Sequence, residues 1–236
     1  MVVLSEGEHV VEGSWTDTDG EEYENTLGIT CSNISFIGQE KDKTIVHGGF
    51  GVSNKKNVTV KSLTLTTTSE IGCGLNVEGE EASVEMMGVS IKEGENTGLY
   101  VSSSASVKAT QCEFSENDGN GVSVTGGKGI FTDCTFHHNR FYGVYADEEG
   151  TLVELRGEQT EIHHNTGSGL FTSINATLNI YIPSRSITAL VHDNGQDLLT
   201  HDGGKIQSQL SLLSLELTVM QEAAPEVVDN EDEEHY

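Results

Sequence analysis

Residues 134–171 read CTFHHNRFYGVYADEEGTLVELRGEQTEIHHNTGSGLF, and this stretch contains the triplet His-His-Asn twice, 26 residues apart. Each triplet comes shortly before a glycine and an apolar pair. The four histidines could form a metal site, or the triplets could mark a structural repeat. The repeat explains more of the chain, because the same frame recurs well outside this stretch.

Glycines followed by an apolar pattern recur along most of the sequence. The anchors of this pattern are Gly28, Gly51, Gly74, Gly98, Gly121, Gly143, Gly169 and finally Asp197. Successive anchors are 23, 23, 24, 23, 22, 26 and 28 residues apart. A regular period of about 20–50 residues indicates a solenoid or another repeat architecture.

Each period contains three short runs of alternating apolar and polar residues, bounded by Gly, Asn, Asp or Ser. Three short strands per coil, stacked about 4.8 Å apart, make a parallel β-solenoid. Since successive strand residues point to opposite faces, one column of the first strand should face outward. This column comprises Asn76, Tyr100, Ser123, Tyr145, Phe171 and Leu199.

The segments SENDGNG, HHNRFYG, HHNTGSG and HDNGQD align so that one asparagine falls in the same column of each coil. The four residues are Asn117, Asn139, Asn165 and Asn194. An amide both donates and accepts hydrogen bonds, so stacked asparagines can pair along the axis and satisfy the backbone of the turns. The sequence therefore predicts a structural asparagine ladder.

The N-x-x-x-G-apolar frame, the three strands per coil and the segments NISFIGQEKDKTIVHGGFGV (33–52) and NVTVKSLTL (57–65) resemble right-handed parallel β-helix proteins of the pectate-lyase-like superfamily. More narrowly, they are similar to the β-helix repeat of carbohydrate-binding proteins and sugar hydrolases. The resemblance covers about residues 25–208. It implies an all-β, single right-handed parallel β-helix of about seven to eight coils with capped ends. Because that superfamily includes lyases, hydrolases, epimerases, esterases and binding or scaffolding members, it implies no single activity.

The ends of a solenoid need covering, since an open coil exposes strand edges and core. Residues 1–24, which contain Trp15, are expected to form the N-terminal cap, and 25–208 the β-helix. The apolar segment 209–220 is expected to lie across the last coil. Residues 221–236 are acidic and lack Lys and Arg, so the sequence predicts a disordered tail there.

The chain has 38 acidic and 12 basic residues and a net charge of −26. Such a surface repels nucleic-acid phosphates and anionic membranes, so neither is an expected partner. Carbohydrate and protein remain as partner classes. No stretch reaches the roughly 18 apolar residues of a membrane span, and the start lacks a signal-peptide pattern. The compartment stays open, with the cytoplasm slightly favoured.

The histidines give two columns that could bind a metal. His137 and His163 fall in one column and His138 and His164 in the next. His192 and Asp193 continue the two columns one coil later. Imidazoles about 5 Å apart on adjacent coils could share Zn²⁺ or Cu²⁺. Repeats also duplicate residues with no ligand role, and this structural interpretation is preferred. No cofactor is expected, although Ca²⁺ would accompany the lyase alternative.

The candidates for catalysis form a second group. They are His138, Arg140, Tyr142, Asp147 and His164. Tyr142, Gly143 and Val144 resemble the opening of a motif in mannuronan epimerases. The next four residues of that motif, Asp-Pro-His-Asp, are replaced here by residues 145–148, Tyr-Ala-Asp-Glu.

Binding is the function that the sequence favours. Asn76, Tyr100, Tyr145 and Phe171 are the candidate ligand-binding residues, because aromatic side chains along one column can stack on sugar rings or contact a protein partner. The sequence thus predicts a noncatalytic binding or scaffold module with carbohydrate as the first choice of ligand. A uronate lyase or epimerase, assisted by Ca²⁺, is the alternative.

Overall fold

The chain winds as a parallel β-solenoid. The structure is a computed structural model that describes residues 1–67, 72–182 and 184–208. Each coil contributes one strand to each of three parallel sheets, which we name sheets A, B and C. In chain order, a coil passes from sheet C through sheet A to sheet B, and seven coils contain all three strands. The predicted fold class is confirmed. The expected cap at 209–220 and tail at 221–236 lie outside the described residues.

The strand boundaries follow the short alternating runs seen in the sequence. Sheet A consists of Val2–Val3, Ser35–Ile37, Val58–Lys61, Ser83–Met87, Ser106–Thr110, Lys128–Thr132, Leu152–Arg156, Thr177–Tyr181 and Lys205–Ser208. Sheet B consists of Gly7–Val10, Thr44–His47, Thr64–Thr66, Ser90–Lys92, Glu113–Ser115, Thr135–His137, Glu161–His163 and Val191–His192. Sheet C consists of Thr26–Gly28, Gly49–Ser53, Leu75–Glu78, Leu99–Ser102, Val122–Thr125, Val144–Asp147, Ser168–Thr172 and Gln196–Thr200.

The core lies inside the coils, where apolar side chains stack one over another. Leu75, Leu99 and Val122 pair in register on sheet C, and none of them is exposed. An aromatic group fills the middle of the rod, with ring centroids 5.3–5.9 Å apart among Phe114, Phe131 and Phe136. Burying side chains of this size stabilises the fold by about 1.5–3 kcal/mol each.

The segment expected to cap the N-terminus divides into two parts. Val2–Val3 pairs with sheet A and Gly7–Val10 with sheet B, so these strands already belong to the solenoid. They cover the otherwise open strand edges of the first coil. Ser14–Thr16 and Glu22–Glu24 then form an antiparallel hairpin, which we call the hairpin.

Strand pairing corrects the position of the first two glycine anchors. Gly51 is level with Asn76, and Gly28 is level with Gly51, so both lie two positions after the point where the later anchors lie. They are small because Trp15 of the hairpin lies over them. A Cβ at Gly51 would be 2.2 Å from Trp15 Cδ2, and one at Gly28 would be 2.7 Å from Trp15 Cδ1. These glycines serve packing and not a turn.

A short helix, Ile187–Leu190, precedes the last strand of sheet B. Ser186 begins it by accepting a hydrogen bond from the Ala189 amide through its side chain. Within the described ranges, no helix has the length and apolar character needed to cross a membrane.

Candidate functional site

The predicted ligand-binding residues lie in one column on the outer face of sheet C. Asn76 is level with Tyr100, and this column continues through Ser123 to Tyr145 and Phe171. The three aromatic residues are half-buried. Asn76 lies in this outward column as expected, but it is buried, with only 5% of its surface exposed.

Three aromatic rings contact one another at the C-terminal half of this face. The ring centroids of Tyr145 and Phe171 are 5.1 Å apart with planes at 5°. Tyr142 lies 4.8 Å from Phe171 and 5.6 Å from Tyr145. His201 stacks on Phe171 at 5.6 Å. We call these four residues the aromatic cluster, and stacking at the coil spacing gives it a rigid apolar surface.

Asp147 fixes the outer end of Tyr145. The Tyr145 hydroxyl donates to Asp147 Oδ2 at 3.0 Å, and the Ser173 hydroxyl donates to Asp147 Oδ1. Burial, followed by the hydrogen bond to Asp147, raises the pKa of Tyr145 to about 12. Tyr145 is therefore a neutral phenol at physiological pH, and Asp147 holds it in place.

The hairpin covers the N-terminal half of the same face. Its loop is shaped by Asp17, whose Oδ1 accepts from the amides of Asp19 and Glu21. The Thr18 amide donates to Glu78 Oε1 on sheet C at 2.8 Å. With Trp15 lying on the two glycines, this bond attaches the hairpin to the solenoid.

Between the hairpin loop and sheet C lies a cavity of about 380 Å³, which we call the acidic cavity. Its lining residues are Asp17, Asp19, Glu21, Tyr23, Asn76, Glu78, Tyr100, Ser102, Ser103, Thr125 and Glu148. Glu78 is 4% exposed, and its carboxylate accepts from Thr18 and Ser53. Burial raises the pKa of both Tyr23 and Tyr100, so the two phenols add no negative charge.

The repeat in the sequence gives no sign of this cavity. It depends on a contact between residues about sixty positions apart, Thr18 and Glu78. Gly28 and Gly51 keep the spacing of the other anchors, so their different register is visible only in the strand pairing. The lone tryptophan before the repeat is consistent with a covering element, but the sequence does not indicate which face it covers.

The four ladder asparagines lie one over another at the turn between sheets B and C. Asn117 Nδ2 donates to Asn139 Oδ1 at 3.0 Å, Asn139 Nδ2 to Asn165 Oδ1 at 2.9 Å, and Asn165 Nδ2 to Asn194 Oδ1 at 2.9 Å. The ladder ends at Asp197, whose Oδ1 accepts from Asn194. Each Nδ2 also donates to a main-chain carbonyl of the preceding coil, as Asn139 does to Phe114. The ladder binds coil to coil and leaves no side chain there for a ligand.

The histidine columns form stacks along the edge of sheet B. The ring centroids of His137 and His163 are 5.0 Å apart, and those of His163 and His192 are 5.5 Å apart. His138 stacks on His164 at 5.1 Å. His137 Nδ1 faces His138 Nδ1 at 2.9 Å, and His163 Nδ1 faces His164 Nδ1 at 2.8 Å. One shared hydrogen bond accounts for this pairing.

Carboxylates hold the ends of the inner histidine column. Glu113 Oε1 lies 3.2 Å from His137 Nε2, while its Oε2 lies 2.9 Å from Lys41 Nζ. These contacts hold the pKa of Glu113 at about 2, with the His137 bond the largest cause. The Glu161 carboxylate, followed by Asp193, raises the pKa of His192. The candidate metal ligands are thus already paired with protein groups. In the ranges that the structure describes, no three His, Cys, Asp or Glu side chains converge in a metal-binding arrangement.

The structure separates the candidate catalytic residues into two groups. His138 and His164 belong to the histidine stack, whereas Tyr142 joins the aromatic cluster and Asp147 holds Tyr145. The Arg140 guanidinium lies over the ring of Phe141, 5.8 Å from its centroid. Across the described part of the chain, no hydrogen bond, ion pair or ring contact joins the two histidines to Tyr142 or Asp147.

Comparison with known proteins gives one finding. A family model described as right handed beta helix region matches residues 23–166, more than half of the chain. No curated protein and no solved structure matches the sequence. The match begins in the second strand of the hairpin, includes the first six complete coils and ends just after the third ladder asparagine, Asn165. It agrees with the three-sheet solenoid. The chain therefore belongs to the family of proteins that have a right-handed β-helix region.

Proposed function

We propose that the protein is a noncatalytic binding module that holds a carbohydrate on the outer face of sheet C. The observation that carries this proposal is the aromatic cluster, in which three rings lie within 4.8–5.6 Å of one another. The outward edges of these stacked, half-buried rings form a rigid apolar strip against which the C–H groups of a sugar can pack. The sheet holds the rings in register, so little side-chain entropy is lost on binding.

The charge of the chain favours a neutral or cationic carbohydrate over a polyuronate. A net charge of −26 repels anionic polymers at long range. The acidic cavity adds five carboxylates on the same face as the aromatic cluster. The same charge opposes nucleic acid and anionic membranes as partners, and a protein ligand would have to be neutral or basic.

A uronate lyase or epimerase assisted by Ca²⁺, as in the pectate-lyase-like superfamily, has less support. Its candidate base and acid groups lie in two separate clusters. Glycoside hydrolysis is also poorly matched, because Glu78 and Asp147 occupy the same column three coils apart. At about 4.8 Å per coil they are roughly 14 Å apart, against about 5–9.5 Å for a pair of catalytic carboxylates. The cytoplasm stays the slightly preferred compartment.

The test is calorimetric titration with neutral oligosaccharides and with oligouronates, using the full chain. We expect the chain to bind neutral sugars, and we expect Tyr145→Ala to weaken their affinity about threefold to tenfold, because the variant lacks one ring of the aromatic cluster. Tyr181→Ala is the matched control, since Tyr181 is an exposed tyrosine on the outer face of sheet A. Equal loss in both variants, or no binding by the wild-type chain, would refute the proposal.

An activity assay tests the alternative function, that of a uronate lyase or epimerase. The chain is incubated with uronate polysaccharides and Ca²⁺, and the absorbance of unsaturated products is followed in the ultraviolet, with NMR to detect epimerisation. We expect no turnover. Turnover that is lost in Tyr142→Phe or His138→Ala would establish the enzyme and overturn the binding role.

A further inference from the structure

The acidic cavity is a feature that the aromatic cluster does not require. Its volume of about 380 Å³ lies near the lower end of ligand pockets, which span about 300–1,000 Å³. One wall is the hairpin loop and the other is sheet C. The cavity thus has room for one small polar group of a ligand.

The charge of the cavity is unbalanced. Five carboxylates line it, those of Asp17, Asp19, Glu21, Glu78 and Glu148, and no Lys or Arg does. Among the described residues, none of the ion pairs involves any of these five acids. Glu78 is almost fully buried with only neutral donors as partners. A buried carboxylate without a cation is unfavourable, so the cavity favours a positively charged occupant.

Asn76 provides an independent indication of a missing donor. Its side chain lines the cavity and is 5% exposed, and its Oδ1 has no hydrogen-bond partner among the residues that the structure describes. Leaving a buried amide oxygen unpaired costs about 1–3 kcal/mol. A ligand that brings N–H or O–H donors to the amide would remove this cost.

The shape of the cavity suits an organic cation better than a bare metal ion. Over the ranges described, the carboxylates do not converge on one point at metal-binding distance. An ammonium group carries three donors and can contact carboxylates that are spread apart. The rings of Tyr23 and Tyr100 also line the space and attract cations through their π faces. The hydroxyls of Ser102, Ser103 and Thr125 can pair with ligand hydroxyls.

We infer that the acidic cavity binds the protonated amine of an amino sugar, as one unit of the carbohydrate held on sheet C. This inference rests on the proposed function, because it places the amine on the same ligand as the sugar ring at the aromatic cluster. The column of Tyr145, Ser123, Tyr100 and Asn76 leads from that cluster directly into the cavity. A ligand lying along the rod axis therefore reaches both.

The experiment compares two oligosaccharides that differ in the amine alone. Glucosamine oligomers and N-acetylglucosamine oligomers of equal length are titrated into the full chain by calorimetry at pH 6, where the free amine is protonated. We expect the glucosamine oligomer to bind at least about tenfold more tightly. Its affinity should fall with added salt, while that of the acetylated oligomer should change little.

Two variants that lose the same number of negative charges test whether the amine binds in the acidic cavity. Asp19→Asn/Glu148→Gln removes two cavity carboxylates that make no side-chain hydrogen bond or ion pair within the described part of the chain. Glu85→Gln/Glu149→Gln removes two acids outside the cavity. We expect the first pair to weaken glucosamine binding about threefold to tenfold and the second to change it less than about twofold. Thermal unfolding of both variants shows whether they fold.

The outcomes distinguish this inference from the proposed function. Equal affinity for the two oligomers, with Tyr145→Ala weakening both, would refute the amine site and leave the carbohydrate module intact. Equal effects of the two charge-matched variants would also refute it, since the preference would then come from net charge. Binding of a simple diamine such as cadaverine without binding of either sugar would refute the amino-sugar inference and the proposed function together.

Discussion

Asn139 shows how much of the solenoid depends on single amides. Its Oδ1 accepts from both the main-chain and the side-chain N–H groups of Asn117, while its own Nδ2 donates to Asn165 and to the Phe114 carbonyl. Asn139 is completely buried, so none of these groups could turn to water instead. Asn76 is also buried, but its oxygen has no partner.

The same substitution should destabilise the fold to different extents at these two buried asparagines. We expect Asn139→Ala to lower the free energy of unfolding by about 2–4 kcal/mol, because it leaves the Asn117 donors and the Phe114 carbonyl unpaired. Asn76→Ala should lower it by less than about 1 kcal/mol, since it removes an oxygen that is already unpaired. Urea unfolding measures both. A cost for Asn76→Ala equal to that for Asn139→Ala would mean that Asn76 supports the fold.

The ladder was predictable because its residues repeat at the period of the coil, so the spacing alone places them in one column. The burial of Asn76 was not predictable in this way. Alternation assigns it to the outer face correctly, but the outer face is exposed only where nothing covers it. Its cover lies about sixty residues earlier in the chain, in a hairpin outside the repeat.

The hairpin packs on sheet C through Trp15, whose ring lies over Gly28 and Gly51. The Trp15 ring also stacks on Tyr23 of the partner hairpin strand at 5.4 Å. The indole is therefore packed between its own hairpin and the sheet. Since this is the sole tryptophan of the chain, its fluorescence reports on the docking of the hairpin.

Gly51→Ala should detach the hairpin from the sheet. A Cβ at this position would meet the Trp15 ring at 2.2 Å, which requires the ring to move. We expect the tryptophan emission to shift to longer wavelength and quenching by iodide to increase, while the solenoid keeps its circular dichroism spectrum. Gly13→Ala is the control, because no atom lies within 4 Å of a Cβ there. An unchanged emission in Gly51→Ala would contradict the docking contact.

Coils also interact through Glu113, which contacts His137 on the next coil and Lys41, which lies just before the sheet-B strand of the first coil. The pKa of Glu113 is about 2 in the folded chain, below its ordinary value of 4.5. A lowered carboxyl pKa stabilises the fold above about pH 4.5, and this contribution disappears as the pH falls towards 2.

The Glu113→Gln variant should therefore be less stable than the wild type at neutral pH, and its stability should fall less as the pH is lowered. We expect the variant to be less stable than the wild type by on the order of 1–3 kcal/mol at pH 6, with the difference vanishing near pH 2. Urea unfolding at several pH values measures the difference. Glu116→Gln, at an exposed turn position, is the control. A difference that stays constant from pH 6 to pH 2 would show that the ionised Glu113 is not the cause.

For the molecule as a whole, the repeat determines the path of the chain, and the excess of acidic residues determines the charge of its surface. The strand order of all three sheets follows from one period, because each coil pairs only with its neighbours. The ends do not follow from that period. The N-terminal strands precede the first glycine anchor and the hairpin has no counterpart in the repeat, so the sequence indicated a cap without indicating its form.

The net charge of −26 predicts that salt stabilises the fold. Carboxylates on adjacent coils repel one another, and raising the salt from 0.1 M to 1 M shortens the screening length from about 10 Å to about 3 Å. We expect NaCl over this range to raise the midpoint of thermal unfolding at pH 7 by roughly 2–6 °C. The rise should be smaller at pH 5, nearer the isoelectric point of about 4.4, where fewer carboxylates are ionised. A midpoint that falls with salt at pH 7 would mean that attractive pairs such as Lys41–Glu113 outweigh the repulsion.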